Sequence, residues 1–207
     1  MRSLALKTGV AVVALFGLGV FLLATSVWPS RASADVVAGR AQEKVVELGA
    51  PIFNEPVKII WAKAAKKEIK FGEKFVGDND WLKGAKFRLK NTTGKKIVFI
   101  ELDVDFPETR VSGAEVSYRI NLGRIPNLNH SAAPLSVLPG GEAEADIDEK
   151  RYGNLVKLVQ ESHPVSDISR ARVQVGFVVF EDATAWSAGA FYRQDAENPK
   201  RWLPISH

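Results

Sequence analysis

Residues 85–106 read AKFRLKNTTGKKIVFIELDVDF, and their period decides the fold class. Ala85, Phe87 and Leu89 alternate with Lys86, Arg88 and Lys90. After Asn91-Thr92-Thr93-Gly94, Val98, Ile100, Leu102, Val104 and Phe106 alternate with Ile97, Phe99, Glu101, Asp103 and Asp105. A repeat of two places successive side chains on opposite faces of a strand. Two such runs joined by a short glycine-containing loop predict a hairpin. With Leu89 facing Val98, Lys86 falls opposite Glu101 and the two apolar sets share a face.

The pattern extends on both sides. Val116, Tyr118 and Ile120 suggest a strand, followed by a Pro/Asn/Gly-rich loop from Gly123 to Pro134. Ala143, Ala145 and Ile147 mark a strand after Leu138-Pro139-Gly140-Gly141. Asp148 is placed to cap a helix burying Tyr152, Leu155, Val156 and Val159, which Pro164 ends. Ala171, Val173, Val175, Phe177 and Val179 form the clearest inward-facing set, and a last strand runs around Trp186 to Tyr192. The expectation is a mainly β domain: an antiparallel sandwich of seven or eight strands with one crossover helix, over residues 57–207. Upstream, Val37, Ala41, Val45 and Leu48 recur at helical spacing, so 35–56 is expected to be a helical stalk or linker.

Two motifs carry a family resemblance. Leu89-Lys90-Asn91-Thr92-Thr93-Gly94-Lys95-Lys96-Ile97 resembles the N-x-S/T-G-K-x-I hairpin of small bacterial exported domains, and Leu138-Pro139-Gly140-Gly141-Glu142 resembles their L-x-P-G-E turn. These are Ig-like sandwiches of the FxLYD type, mostly of unassigned function. The resemblance covers residues 85–147 and implies an Ig-like fold. It carries no catalytic residue over. The chain departs from that pattern in having no lipoprotein cysteine and in its added helix.

The first residues bear on location. Thr8 to Trp28 contains no charged residue and follows Arg2 and Lys7. About 20 apolar residues suffice for a helix to cross a bilayer. Residues 1–34 are therefore expected to be a membrane anchor or a signal peptide, with the chain beyond them extracytoplasmic. Ala32-Ser33-Ala34 offers a cleavage site, and cutting after Ala34 gives a secreted or periplasmic protein instead.

Charge narrows the partners. The 28 Lys+Arg exceed the 24 Asp+Glu, but Arg2, Lys7 and Arg31 lie within residues 1–34, where there is no acid. The remainder is close to neutral, so the pI near 9.3 does not argue for nucleic-acid binding. Residues 57–96 hold 12 basic and 4 acidic side chains, and residues 97–161 hold 6 and 11. Pairing of consecutive strands would interleave these charges. A Lys-rich edge strand over 58–70, or a basic patch for anionic lipid or polysaccharide, are the alternatives.

No catalytic, metal or cofactor constellation stands out. Glu101, Asp103, Asp105 and Glu108 could ligate Ca²⁺, but alternate strand positions also make a plain solvated row. His130, His163 and His207 are scattered, there is no cysteine, and neither a G-x-S-x-G elbow nor a phosphate loop occurs. Trp186, Tyr192 and Trp202, with Phe191, cluster near the end as candidate partner-binding residues, with core packing the competing reading. The expectation is a non-enzymatic binding module of the cell envelope, with an envelope protein as partner. A small hydrolase or metal-dependent enzyme with a site near His130, and a structural subunit of an envelope complex, are the alternatives.

Overall fold

The structure, a computed structural model, describes residues 41–128 and 133–205. The expected leader over 1–34 and the first part of the stalk lie outside the described residues. Among the described residues no helix is long and apolar enough to cross a membrane.

The strands are β1 (Gln42–Leu48), β2 (Val57–Ala64), β3 (Lys67–Ile69), β4 (Lys74–Gly77), β5 (Lys86–Asn91), β6 (Ile97–Val111), β7 (Ala114–Gly123), β8 (Glu142–Asp146), β9 (Arg170–Phe180), β10 (Thr184–Ser187), β11 (Ala190–Gln194) and β12 (Trp202–Pro204). One helix, α1 (Glu149–Gln160), joins β8 to β9. The small sheet runs β3-β2-β5-β8. In the large sheet β7 pairs with β6, and β6 with β9. The other edge of β9 is shared end to end. β1, followed by β4, lies along Arg170–Val173, and β10, followed by β11 and β12, lies along Phe177–Val179. The two sheets lie in a sandwich-like arrangement. Their common core includes Phe87 and Leu89 from the small sheet and Ile100, Leu102, Val104, Val173 and Val178 from the large one.

Three expectations need correction. The first is the hairpin. β5 and β6 do not pair; they belong to different sheets. Both runs turn apolar sides to one core from opposite layers, except that facing is reversed at the start of β6, where Ile97 enters the core and Val98 packs on the outer cluster; Lys86 pairs with Glu144 at 2.7 Å rather than with Glu101. Asn91 is the reason. Its side chain is 1% exposed, and Nδ2 donates to the carbonyls of Lys95 (2.8 Å), Val137 (3.1 Å) and Leu138 (3.1 Å). Its Oδ1 accepts from Thr93 N (2.9 Å) and Thr93 Oγ1 (2.8 Å). Buried carbonyls need donors, and these are satisfied only when the chain leaves the β5 plane and climbs to the other sheet.

The second correction is the stalk. Residues 42–48 are a strand, not a helix, and β1 is parallel to β9, so the large sheet is mixed rather than wholly antiparallel. The alternation was masked because a lysine fills an inward position. Lys44 is 1% exposed, and its Nζ donates to Ile168 O at 2.8 Å and Gln42 Oε1 at 3.1 Å. Burial pushes its pKa down, against the pull of Glu108, Asp78 and Asp167. The sandwich therefore takes in chain upstream of residue 57.

The third is the strand count. Among the described residues twelve strands replace seven or eight, because β3, β4, β10 and β12 have only three or four residues each and are too short to show a period. The helix is where the spacing puts it. Asp148 Oδ1 accepts from Arg151 N at 2.8 Å; Leu155 and Val159 are buried, and Tyr152 and Val156 half-buried.

Asn91→Ala should lower unfolding free energy by about 3 kcal/mol, since several buried carbonyls lose their donor together. Urea denaturation with an unchanged slope measures it. A loss below about 1 kcal/mol would remove Asn91 from this role.

Candidate functional site

The outer face of the large sheet carries two zones, and a bulge divides them. Along β9, Ala171, Val173 and Val175 point into the core, but beyond Gly176 the inward residues are Val178 and Phe180. Glu101 of β6 pairs with Phe177 and Leu102 with Val175, so Gly176 is the extra residue. The expected inward set is therefore right only as far as Val175; Phe177 and Val179 face outward. A bulge re-aims the side chains that follow it. A Cβ here would stand 2.4 Å from Asp103 Oδ2 and 3.3 Å from Glu101 Oε1, so a larger residue requires those carboxylates to shift.

On one side of the bulge lies an ionic zone. Arg119 is 3.4 Å from Asp103 and 3.8 Å from Glu101. Arg172 meets Asp105 at 3.6 Å and also pairs with Glu115, and Gln174 donates to Asp105 at 3.1 Å. The row is not the freely solvated one expected: Asp105 is 5% exposed. Desolvation, then repulsion from Glu101, holds the Asp103 carboxyl above its ordinary range despite Arg119. Glu108 leaves the row and accepts from Ser169 N (3.1 Å) and Oγ (2.7 Å). Among the described residues, no group of three or more His, Asp or Glu could hold a metal ion.

On the other side lies an aromatic zone. Phe99, Val179 and Ala185 form a second buried cluster, with Val98, Ile125, Phe177, Tyr192 and Trp202 packed against it. Phe177 meets Trp202 edge-to-face at 5.3 Å and Phe99 at 6.2 Å. Two of the three candidate partner-binding residues, Tyr192 and Trp202, are thus together and half-exposed. The third is corrected. Trp186 is 0% exposed, part of the main core, and donates to Phe53 O at 3.4 Å. Adjacent strand positions face opposite ways, so Trp186 points inward from the strand whose Ala185 points outward.

His130 and His207 lie outside the described residues, as does 129–132 of the loop proposed for an enzyme. Beside that loop a groove of about 470 Å³ is lined by Val98, Arg124, Pro126, Asn127, Pro134 and Leu135. Those side chains include one guanidinium and no carboxylate. A cleft that sequence reading missed, of about 380 Å³, lies between Lys63, Lys66 and Lys83 and the acids Asp78, Asp80 and Glu149. A hydrogen bond that protonated Asp80 donates to Asp78 raises the Asp80 pKa, and Glu149 pairs with Lys83 at 2.8 Å. Residues 78–80 show in the sequence only as a turn signal; Lys83 is a near neighbour in the chain, but nothing local brings Lys63 and Lys66 to them.

Comparison with protein-family models, with curated proteins and with solved structures returned no match.

Gly176→Ala should cost about 2 kcal/mol through overpacking against Asp103, and adding Asp103→Ala should restore part of it. Equal losses in the single and double variants would argue against the contact. A carboxyl whose folded pKa is raised binds its proton more tightly in the native state. Its favourable contribution is full at low pH and is lost as pH rises through the window from the ordinary aspartate value to the raised one. Asp103→Asn should therefore raise the melting temperature at neutral pH, with the gain shrinking as pH falls through that window. A gain independent of pH would contradict this.

Proposed function

We propose that the chain is a non-enzymatic, Ig-like binding module of the cell envelope, tethered on the extracytoplasmic side by its N-terminal apolar run or released there by cleavage after Ala34. Its partner is an envelope protein, met by the aromatic zone of the large sheet. One observation carries this reading: the bulge at Gly176 turns Phe177 and Val179 outward, where simple alternation would have kept them in the core. The result is an apolar cluster on an outer face, with Val179 covered and Phe177, Tyr192 and Trp202 as its half-exposed rim. Aromatics in such positions are the usual anchors of protein interfaces, because they bury much area at small entropic cost. The Ig-like assignment rests on the turn motifs at 89–97 and 138–142, the sandwich-like layering and the crossing between sheets at 91–96.

Photo-crosslinking in intact cells tests the partner. A crosslinking phenylalanine analogue at Tyr192 should give a reproducible adduct with an envelope protein. The same analogue at Val111, 66% exposed at the far end of β6, should not. Trp202→Ala should weaken the adduct. Absence of an adduct from Tyr192, or identical adducts from both positions, would remove the platform as the docking site.

A further inference from the structure

The lysine-rich strand over 58–70 is not the unpaired edge it was expected to be. β2 lies between β3 and β5, and acids answer its sheet in register, with Lys63 opposite Glu68 and Lys86 opposite Asp146. The open edge is β7. Among the described residues it pairs with β6 alone. Two bonds fix the direction of its backbone groups. Val116 N donates to Thr109 Oγ1 at 2.8 Å and Arg124 N to Val98 O at 3.3 Å, both toward β6. Backbone groups alternate in direction along a strand, so Glu115, Ser117, Arg119 and Asn121 turn their N–H and C=O groups away from β6. No backbone bond satisfies these groups among the described residues.

Edges that must stay free are usually short, or carry a lysine, a proline or a bulge. β3, β4, β8 and β12 have three to five residues each. β7 has ten, without lysine or proline, and its register with β6 is unbroken from Val116 to Gly123. Charge reverses along its outer face. Glu115 pairs with Arg110 at 2.9 Å and also with Arg172, whereas Arg119 lies beside Asp103 and Glu101. One end of the edge therefore gathers two guanidinium groups about a carboxylate, and the other end two carboxylates about a guanidinium. Between them Asp105, which meets Arg172, lies in register with Ser117. On the inner face Val116 and Tyr118 are half-buried against the core, and Arg151 and Asp148 at the start of α1 act on Tyr118 with opposite signs.

We infer that β7 pairs antiparallel with β7 of a second copy of this chain, about a two-fold axis at Ser117. The axis sets Ser117 opposite itself, Glu115 opposite Arg119 and Val116 opposite Tyr118 of the other copy. The free backbone groups at 115, 117 and 119 then exchange hydrogen bonds. The guanidinium-rich end of each copy meets the carboxylate-rich end of the other, and it does so twice. No neighbouring register does this. Centring on Glu115 or on Arg119 sets like charges face to face, which repel. Centring on Val116 or on Tyr118 leaves Glu115 opposite Ser117 or Asn121. A two-fold interface needs one patch to serve both sides, and the charge reversal along β7 supplies that. A foreign extended peptide would meet the same open backbone, but the reversal is answered by β7 itself. The pairing uses none of the residues proposed above for the envelope partner, so the two readings stand or fall separately.

The absence of cysteine makes the test direct, because one introduced thiol can bridge only to its own copy. Opposed residues of a hydrogen-bonded antiparallel pair have Cα atoms about 5.5 Å apart, within the span of a disulfide. Full-length Ser117→Cys in detergent micelles should give a disulfide-linked dimer under mild oxidation. Asn121→Cys, exposed on the same face of the same strand, should not, because the axis holds its two copies about 27 Å apart. Two further variants break the pairing. Ser117→Lys sets like charges face to face on the axis, and Ser117→Pro removes an N–H that turns away from β6; edge strands accept both residues. With melting temperatures near the parent's, each should raise the dimer dissociation constant about tenfold or more by sedimentation equilibrium in density-matched detergent. If the proline variant does not fold, the lysine variant decides. Association carried by the N-terminal apolar run would crosslink equally at 117 and 121 and ignore both substitutions. A Ser117→Cys chain that stays monomeric, equal crosslinking at the two positions, or a dimer unchanged by Ser117→Lys would each overturn the proposal.

Discussion

The buried amide of Asn91 sets the connectivity of the sandwich. It gathers the carbonyls of Lys95, Val137 and Leu138 and holds Thr93 through its oxygen. Those groups come from the 91–96 crossing and from the segment leading to β8. One side chain therefore ties together the point where the chain leaves the small sheet and the point where it returns. Backbone bonds reinforce the junction: Asn91 N donates to Gly141 O, Gly140 N to Asn91 O, and Ile97 and Val137 exchange both of theirs. With β6 in the large sheet, β5 takes β2 and β8 as neighbours, and the charge pattern of both faces follows.

The same logic of one residue redirecting many appears at Gly176. A single inserted position reverses the facing of the rest of β9, and the outer face changes from ionic to aromatic within two residues. The Asp103 carboxylate occupies the space a Cβ would need, so the bulge and the ionic row support each other. The two outer faces then differ in kind. The large sheet presents a mostly neutralised ion network beside an aromatic cluster; the small sheet presents cations set against acids in register, Lys63 opposite Glu68, Lys86 opposite Asp146, Arg88 opposite Glu144 and Lys90 opposite Glu142.

Much of this was legible where local physics decides. The alternation over 85–90 and 100–106 places its residues on the correct sides, because a half-buried strand must alternate. The helix from Glu149 is legible through Asp148 and the spacing of Leu155 and Val159. Misreadings occur where a distant group overrides the local signal. Lys44 sits inward in β1 because Ile168 O, more than a hundred residues away, receives its ammonium. Trp186 and Tyr192 read alike in sequence, yet only Tyr192 joins the outer platform. The cleft at Asp78 and Asp80 does not show in the sequence because Lys63 and Lys66 reach it from the end of β2 and the β2–β3 turn.

By itself, then, the sequence determined the longer alternating strand runs, the capped helix and the regional imbalance of charge, but not β1 or the short strands. These depend on side-chain period and on residues within a turn or two. The tertiary structure alone decided which strands pair, where alternation reverses and which charges become neighbours. Those outcomes depend on hydrogen bonds and steric fits between residues far apart in the chain: Asn91 with Val137, Lys44 with Ile168, Gly176 with Asp103. A period of two says that a residue has an inner and an outer side. It does not say which sheet supplies the neighbour.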